Sequence, residues 1–213
     1  MDIIKKLAEE LNIGRHQAEA AVKLIDEGNT IPFIARYRKE ATGSLDDEVL
    51  RNLDERLKYL RNLEERKNQV IASIAEQEKL TPELERSIRD AQTLVAVEDL
   101  YRPYKPKRRT RAMIAKEKGL EPLADLISMQ MVKEPLLQAA AAYISQEKGG
   151  ETAEDAIQGA KDILAERISD NAEYRTYIRN ATMNKGVVQS SAKDEKAQSV
   201  YEMYYNYEEP VKK

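Results

Sequence analysis

Leu50, Leu53, Leu57 and Leu60 alternate spacings of three and four, the repeat of one face of an α-helix. The heptad continues through Glu64, Lys67, Ile71 and Ile74. The polar pair interrupts that seam, while Leu63 and Val70 carry the apolar stripe slightly round the helix. Upstream, Ser44-Leu45-Asp46-Asp47 offers an S-x-x-D capping box. These features predict one long spine helix over about 44–80.

The flanking pattern predicts shorter helices. Ile4, Leu7, Ala8 and Leu11 share one face, Asn12-Ile13-Gly14 breaks it, and Ala18, Ala21, Val22 and Ile25 resume it up to Gly28. Pro32 suits a first helical turn, with Phe33 and Tyr37 on one face and Phe33 expected as a core anchor. Thr81-Pro82, Thr110, Pro122, Pro135, the T-x-x-D at Thr152 and Asp170 or Asn171 each mark a helix start. Gly119, Gly149-Gly150 and Gly186 mark ends. Ala156, Ile157, Ala160, Ile163, Leu164 and Ile168 form an amphipathic face, and Gly159 within it implies close approach of another backbone. Val187 to Ser191 reads as at most one short strand, followed by the tyrosine-rich YEMYYNY. A single strand cannot form a sheet alone, so its partner is expected outside this chain, and the exposed tyrosine tail is expected to fold back on the 157–168 helix or pair with a second copy of the chain.

The expected fold is therefore all-α, a multi-helical array of helical hairpins around one spine helix. The divisions are 1–43, a hairpin and a basic helix; 44–128, the spine, short helices and a basic loop; 129–186, further helices; and 187–213, the tail.

Composition narrows the chemistry. The chain has 213 residues, 34% of them charged, one histidine and no cysteine. Disulfides and cysteine-bound metals are excluded, and nucleophile–base pairs of familiar kinds have almost no material. No phosphate-cradling glycine loop, dinucleotide fingerprint or metal-ligand cluster is present. The expectation is a non-enzyme without cofactor or metal. No apolar run is long enough for a bilayer and MDIIKKLAEE is not a leader, so the expected location is cytoplasmic, away from membranes.

Two basic stretches remain. Between Arg102 and Arg111 stand six cations and no acid: Arg102, Lys105, Lys107, Arg108, Arg109 and Arg111. Tyr101 and Tyr104 are interleaved with them, and Pro103 and Pro106 oppose a continuous helix. Arg36, Arg38 and Lys39 form a second cluster. Two readings stay open. The cations can hold the phosphates of a nucleic acid, or they can pair with carboxylates in a chain whose net charge is only -3. Glu98 and Asp99 are expected to pair with arginines of these stretches. The first hairpin also permits a helix-turn-helix reading, with Arg15, His16, Gln17 and Lys23 toward DNA.

Three stretches carry a resemblance: IPFIARYRKEATGSLDDEVLRNLDERLKYLRNLEERK, VEDLYRPYKPKRRTRAMIAKEKGLEPLADLI and AIQGAKDILAERISDNAEYR. Together they strongly resemble the N-terminal region of the bacterial Tex family of transcription accessory proteins. The resemblance implies a chain that stops where an RNase-H-like domain would begin, with a helix-hairpin-helix segment and an RNA-binding OB-fold beyond. It implies an N-terminal helical module that assists nucleic-acid binding in transcription, RNA or single-stranded DNA being held mainly by the absent domains. The alternative is a scaffold that docks RNA polymerase or the protein's own downstream domains.

Overall fold

The computed structural model describes residues 2–130, 134–144, 152–194 and 196–212. Among them the chain forms eleven α-helices and two short strands, so the all-α expectation holds. It divides into two compact units, Met1–Glu98 and Asp99–Lys213.

The first unit contains α1 (Ile3–Leu11), α2 (Arg15–Asp26), α3 (Ile31–Tyr37), α4 (Asp47–Ala75) and α5 (Pro82–Asp90). The boundary between units falls within α6 (Leu94–Tyr101). Asp2 caps α1 by accepting from the Lys5 N–H at 3.0 Å, and Asn12 closes it in the left-handed region. Leu7, Ala18, Ala21, Val22, Ile34 and Leu45 bury themselves with Leu50, Leu53, Leu57 and Leu60 of α4. Each fully buried leucine contributes about 1.5–3 kcal/mol of transfer free energy, so the seam dominates this unit's stability.

Helix α4 is shorter than the 44–80 expectation at both ends. Its N-cap is Asp46, which accepts from the Val49 N–H at 2.8 Å, and not Ser44. Gly43 and Ser44 both have φ of 62°, and the Ser44 N–H is held by the Lys39 carbonyl at 2.7 Å. The chain is still turning there and cannot enter a right-handed helix until Asp46. At the other end, Glu78 adopts φ of 56° and the Lys79 N–H reaches back to the Ile74 carbonyl at 3.2 Å. This closure stops the helix without a glycine. The distal stripe runs through Leu63, Lys67, Val70 and Ile74, all buried, so Lys67 does lie in the seam. Its side chain is 2% exposed, and Nζ donates to Glu64 Oε1 at 2.8 Å and to the Arg89 carbonyl at 2.7 Å. That carbonyl lies in the last turn of α5, where helical acceptors have no partner of their own.

The second unit contains α7 (Arg111–Glu117), α8 (Glu121–Ser128), α9 (Leu136–Ala141), α10 (Ala153–Asp170) and α11 (Ala172–Lys185). Helix α10 is central. Ala156, Ala160 and Ile163 pack with Ala112, Ala115, Leu120, Leu123, Ala124 and Ala140. So many alanines let the helices approach closely. A Cβ on Gly159 would overlap Leu120 Cδ1 and sit 3.2 Å from Ala115 Cβ. Gly159 is therefore approached by side chains, not by the backbone expected from sequence. Ile168, expected on the inner face, is exposed near the end of α10. The expected Gly149-Gly150 helix end lies outside the described residues.

The strand expected at Val187–Ser191 forms as β1, and its partner is in the same chain. Strand β2 (Asn206–Pro210) pairs with it antiparallel, Val187 opposite Pro210 and Ser191 opposite Asn206. The tail therefore satisfies β1 by folding onto it, whereas the sequence pattern predicts one strand without a partner in this chain and a tail packed on the 157–168 helix or on a second copy. Val200, Tyr201 and Met203 remain exposed.

Candidate nucleic-acid interface

Helix α6 ends at Tyr101, a 3-10 turn covers Arg102–Tyr104, and Thr110 starts α7 by accepting from the Met113 N–H at 3.1 Å. The basic stretch between them does not stand free along its length. Arg102 Nε donates to Asp170 Oδ1 at 3.0 Å, and Lys107 donates to the other oxygen of the same carboxylate. Lys107 also lies 3.4 Å from Glu166, whose Oε1 accepts from the Thr110 hydroxyl at 3.0 Å. Glu166 and Asp170 stand one helical turn apart on α10, and their side chains are 18% and 13% exposed. Two largely buried carboxylates thus grip the loop. The cleft beside it, about 340 Å3, is lined by these acids as well as by Arg102, Lys105 and Lys107, so it does not favour an anion. Tyr101 is buried and Tyr104 half-buried, so the interleaved tyrosines do not form an open stacking row.

The remaining cations of the loop differ. Arg109 makes one exposed pair with Glu117 at 2.9 Å. Such a pair contributes about 0–1 kcal/mol and is readily exchanged. Arg108 and Arg111 are exposed and make no ion pair among the described residues. Lys105 is exposed as well.

In the first unit, Arg36, Arg38 and Lys39 are exposed and likewise have no carboxylate partner among the described residues. They sit at the end of α3 and on a turn that is firmly held. Thr42 is fully buried, and its hydroxyl donates to the Arg38 carbonyl at 3.2 Å. Gln17 Nε2 donates to the carbonyls of Thr42 at 3.2 Å and Gly43 at 3.0 Å. A Cβ on Gly43 would come within 2.6 Å of that same nitrogen and push Gln17 off its carbonyls, and the φ of 62° itself favours glycine. Gln17, expected toward DNA, is therefore spent on this turn and on the Gly14 N–H at 2.9 Å. Arg15 pairs with Asp2 at 3.0 Å, while His16 and Lys23 are exposed.

Phe33 is not the core anchor of α3. Ile34 is fully buried, with Ile31 and Ala35 packed beside it, and Phe33 is 37% exposed. The i, i+3, i+4 spacing of Ile31, Ile34 and Ala35 is the signal for that face. Phe33 does meet Tyr37 as the i, i+4 spacing predicts, with ring centroids 5.3 Å apart, and the Arg38 guanidinium lies 5.5 Å from the Phe33 centroid.

Both acids before the loop find arginines, and those of Asp99 lie on α11, not in the basic stretches. Glu98 accepts from Arg66 Nε at 2.6 Å. Asp99, its side chain 6% exposed, accepts from Arg175 Nε at 2.6 Å and from Arg179 at 2.5 Å. Burial alone would raise the Asp99 pKa, but the two guanidinium hydrogen bonds outweigh it and hold the carboxyl below its ordinary value.

Comparison with known proteins follows the same lines. Residues 1–75 match the Tex-like protein N-terminal domain, and residues 133–213 match the Tex central region-like family. Protein tex of Bordetella pertussis is 47% identical over 212 residues, covering 99% of this chain and 27% of that protein. Transcriptional accessory protein Tex of Neisseria gonorrhoeae is 44% identical over 214 residues, covering all of this chain and 28% of that protein. The human S1 RNA-binding domain-containing protein 1 is 31% identical over 193 residues, covering 89% of this chain and 19% of that protein. The chain thus spans less than a third of the length of these relatives. Among the described residues, no helix is long and apolar enough to cross a membrane.

Proposed function

The chain belongs to the Tex family, matching its N-terminal and central regions, and from that premise we propose that it is a helical module assisting nucleic-acid binding in transcription. Phosphate contacts come from Arg36, Arg38 and Lys39 in the first unit and from Arg108 and Arg111 in the second. The observation that carries this reading is the division of labour among the cations. Arg102 and Lys107 neutralise half-buried carboxylates, while these five stand exposed with no carboxylate partner among the described residues. An unpaired exposed cation is free to replace the counterions of a phosphate backbone. Arg109 joins them by giving up a weak exposed pair. A relative named for its S1 RNA-binding domain supports RNA or another single strand as the polymer.

A salt titration with a single-stranded oligonucleotide tests this. Each lost phosphate contact lowers the log–log slope by roughly 0.7. Arg108→Ala with Arg111→Ala flattens it by roughly 1.4, and the triple change at Arg36, Arg38 and Lys39 by about 2. Unchanged affinity and slope in both variants, with intact helicity, would refute the reading. The alternative is a scaffold that docks RNA polymerase or the protein's own downstream domains. One observation favours it: α11 has no fully buried residue, and Tyr177 at 74% and Met203 at 73% lie open to solvent.

A further inference from the structure

We propose that Phe33 and Tyr37 form a platform on which one unstacked base of a single-stranded nucleic acid stacks, its flanking phosphates held by Arg36, Arg38 and Lys39. This deepens the nucleic-acid reading above and rests on it.

Four observations carry the proposal. The first is exposure: Phe33, the chain's one phenylalanine, is 37% exposed and Tyr37 is 62% exposed, beside a buried Ile34 that already anchors the helix. Their aromatic area is therefore not needed to hold α3 to its neighbours. The second is geometry. The rings are 5.3 Å apart and tilted by 46°, and Arg38 stands 5.5 Å from the Phe33 centroid. The guanidinium lies over the Phe33 ring, so a base stacks in its place or on the more exposed Tyr37 while Arg38 turns to a phosphate, and any base serves, since every base has a π-face.

The third is charge. Between Thr30 and Leu45 the sequence has three cations and one acid, Glu40, and none of the cations forms an ion pair among the described residues. The fourth is rigidity. The Thr42 and Gln17 hydrogen bonds fix the turn that carries Arg38 and Lys39, so little ordering entropy is lost on binding. A duplex offers no free base face, so the occupant is a single strand. The tyrosines of the basic loop do not compete for this role in the same way, because Tyr101 is buried.

The chain has no tryptophan, so Phe33→Trp places a single fluorescent reporter on the platform. The probes are a 12-residue oligothymidylate and an abasic deoxyribose-phosphate oligomer of equal length and charge. Stacking predicts that the first probe quenches the emission of this tryptophan and the second does not. The unsubstituted chain, followed by anisotropy of labelled probes, should prefer the thymidylate by about fivefold to 150-fold. Phe33→Leu with Tyr37→Leu should erase that preference and keep the salt slope, with helicity checked by circular dichroism. Equal affinity for the two probes, or a preference that survives the double leucine change, overturns the platform and leaves the phosphate contacts standing. Binding of neither probe overturns both.

Discussion

Lys67 is the sharpest place to test the packing argument, because it puts an ammonium inside a leucine seam. Its side chain is 2% exposed, and Nζ bridges Glu64 on its own helix and the Arg89 carbonyl at the end of α5. Replacing it by methionine keeps most of the buried stem and removes the charge. The Glu64 carboxylate is 28% exposed and returns to water cheaply, so its share is about 0–1 kcal/mol. The Arg89 carbonyl loses a charged donor in a half-buried place, at about 1–3 kcal/mol. Lys67→Met is therefore expected to cost about 1–3 kcal/mol in total. Lys67→Ala also loses about 0.8 kcal/mol for each buried methylene, bringing it to about 3–5 kcal/mol. Urea unfolding at neutral pH reads both variants. The methionine change should lower the midpoint by about 1 M, for a slope of about 2 kcal/mol/M. Hydrogen exchange should show its loss concentrated in the amides of α5. Lys67→Met at or above the parent's stability would refute the reasoning, since desolvating the ammonium would then outweigh both of its hydrogen bonds.

Asp99→Asn should loosen α11, which has no fully buried residue of its own, by about 2 kcal/mol after discounting the solvent-facing arginines, seen as faster amide exchange over Ala172–Lys185. The folded pKa of Asp99 lies below its ordinary value, so this contribution is complete above the usual carboxylate range and lost as pH falls through the folded pKa. An acid titration of α11 stability should show that loss in the parent and not in Asp99→Asn. Gly159→Val should destabilise the second unit by about 1–3 kcal/mol in thermal or urea unfolding, because its new atoms meet the buried Leu120 and Ala115, and overpacking exceeds the gain in helix propensity. A variant as stable as the parent would mean that Leu120 repacks freely.

Local chemistry was readable from the chain by itself. The caps at Thr81, Thr110, Thr152 and Asn171 stand where their residue types place them, because a cap bonds to an amide three residues on. The leucine seam of α4 was equally plain, since periodicity is a property of one helix, and the family resemblance lay in three long stretches. Tertiary structure decided which face and which partner won. Phe33 lost the core to Ile34 because the neighbours of α3 press on the Ile31–Ala35 side. Ser44 lost its capping role to a turn pinned by Gln17, 25 and 26 residues away from the carbonyls it holds. Helix α4 stopped at Ala75 through a left-handed glutamate that no glycine or proline announces. The basic loop was split into braced and open cations by Asp170, which lies 68 residues from Arg102 and 63 from Lys107. Spacing along a chain reports which residues share a surface, whereas the sign of the charge that surface meets depends on contacts made only when distant segments pack together.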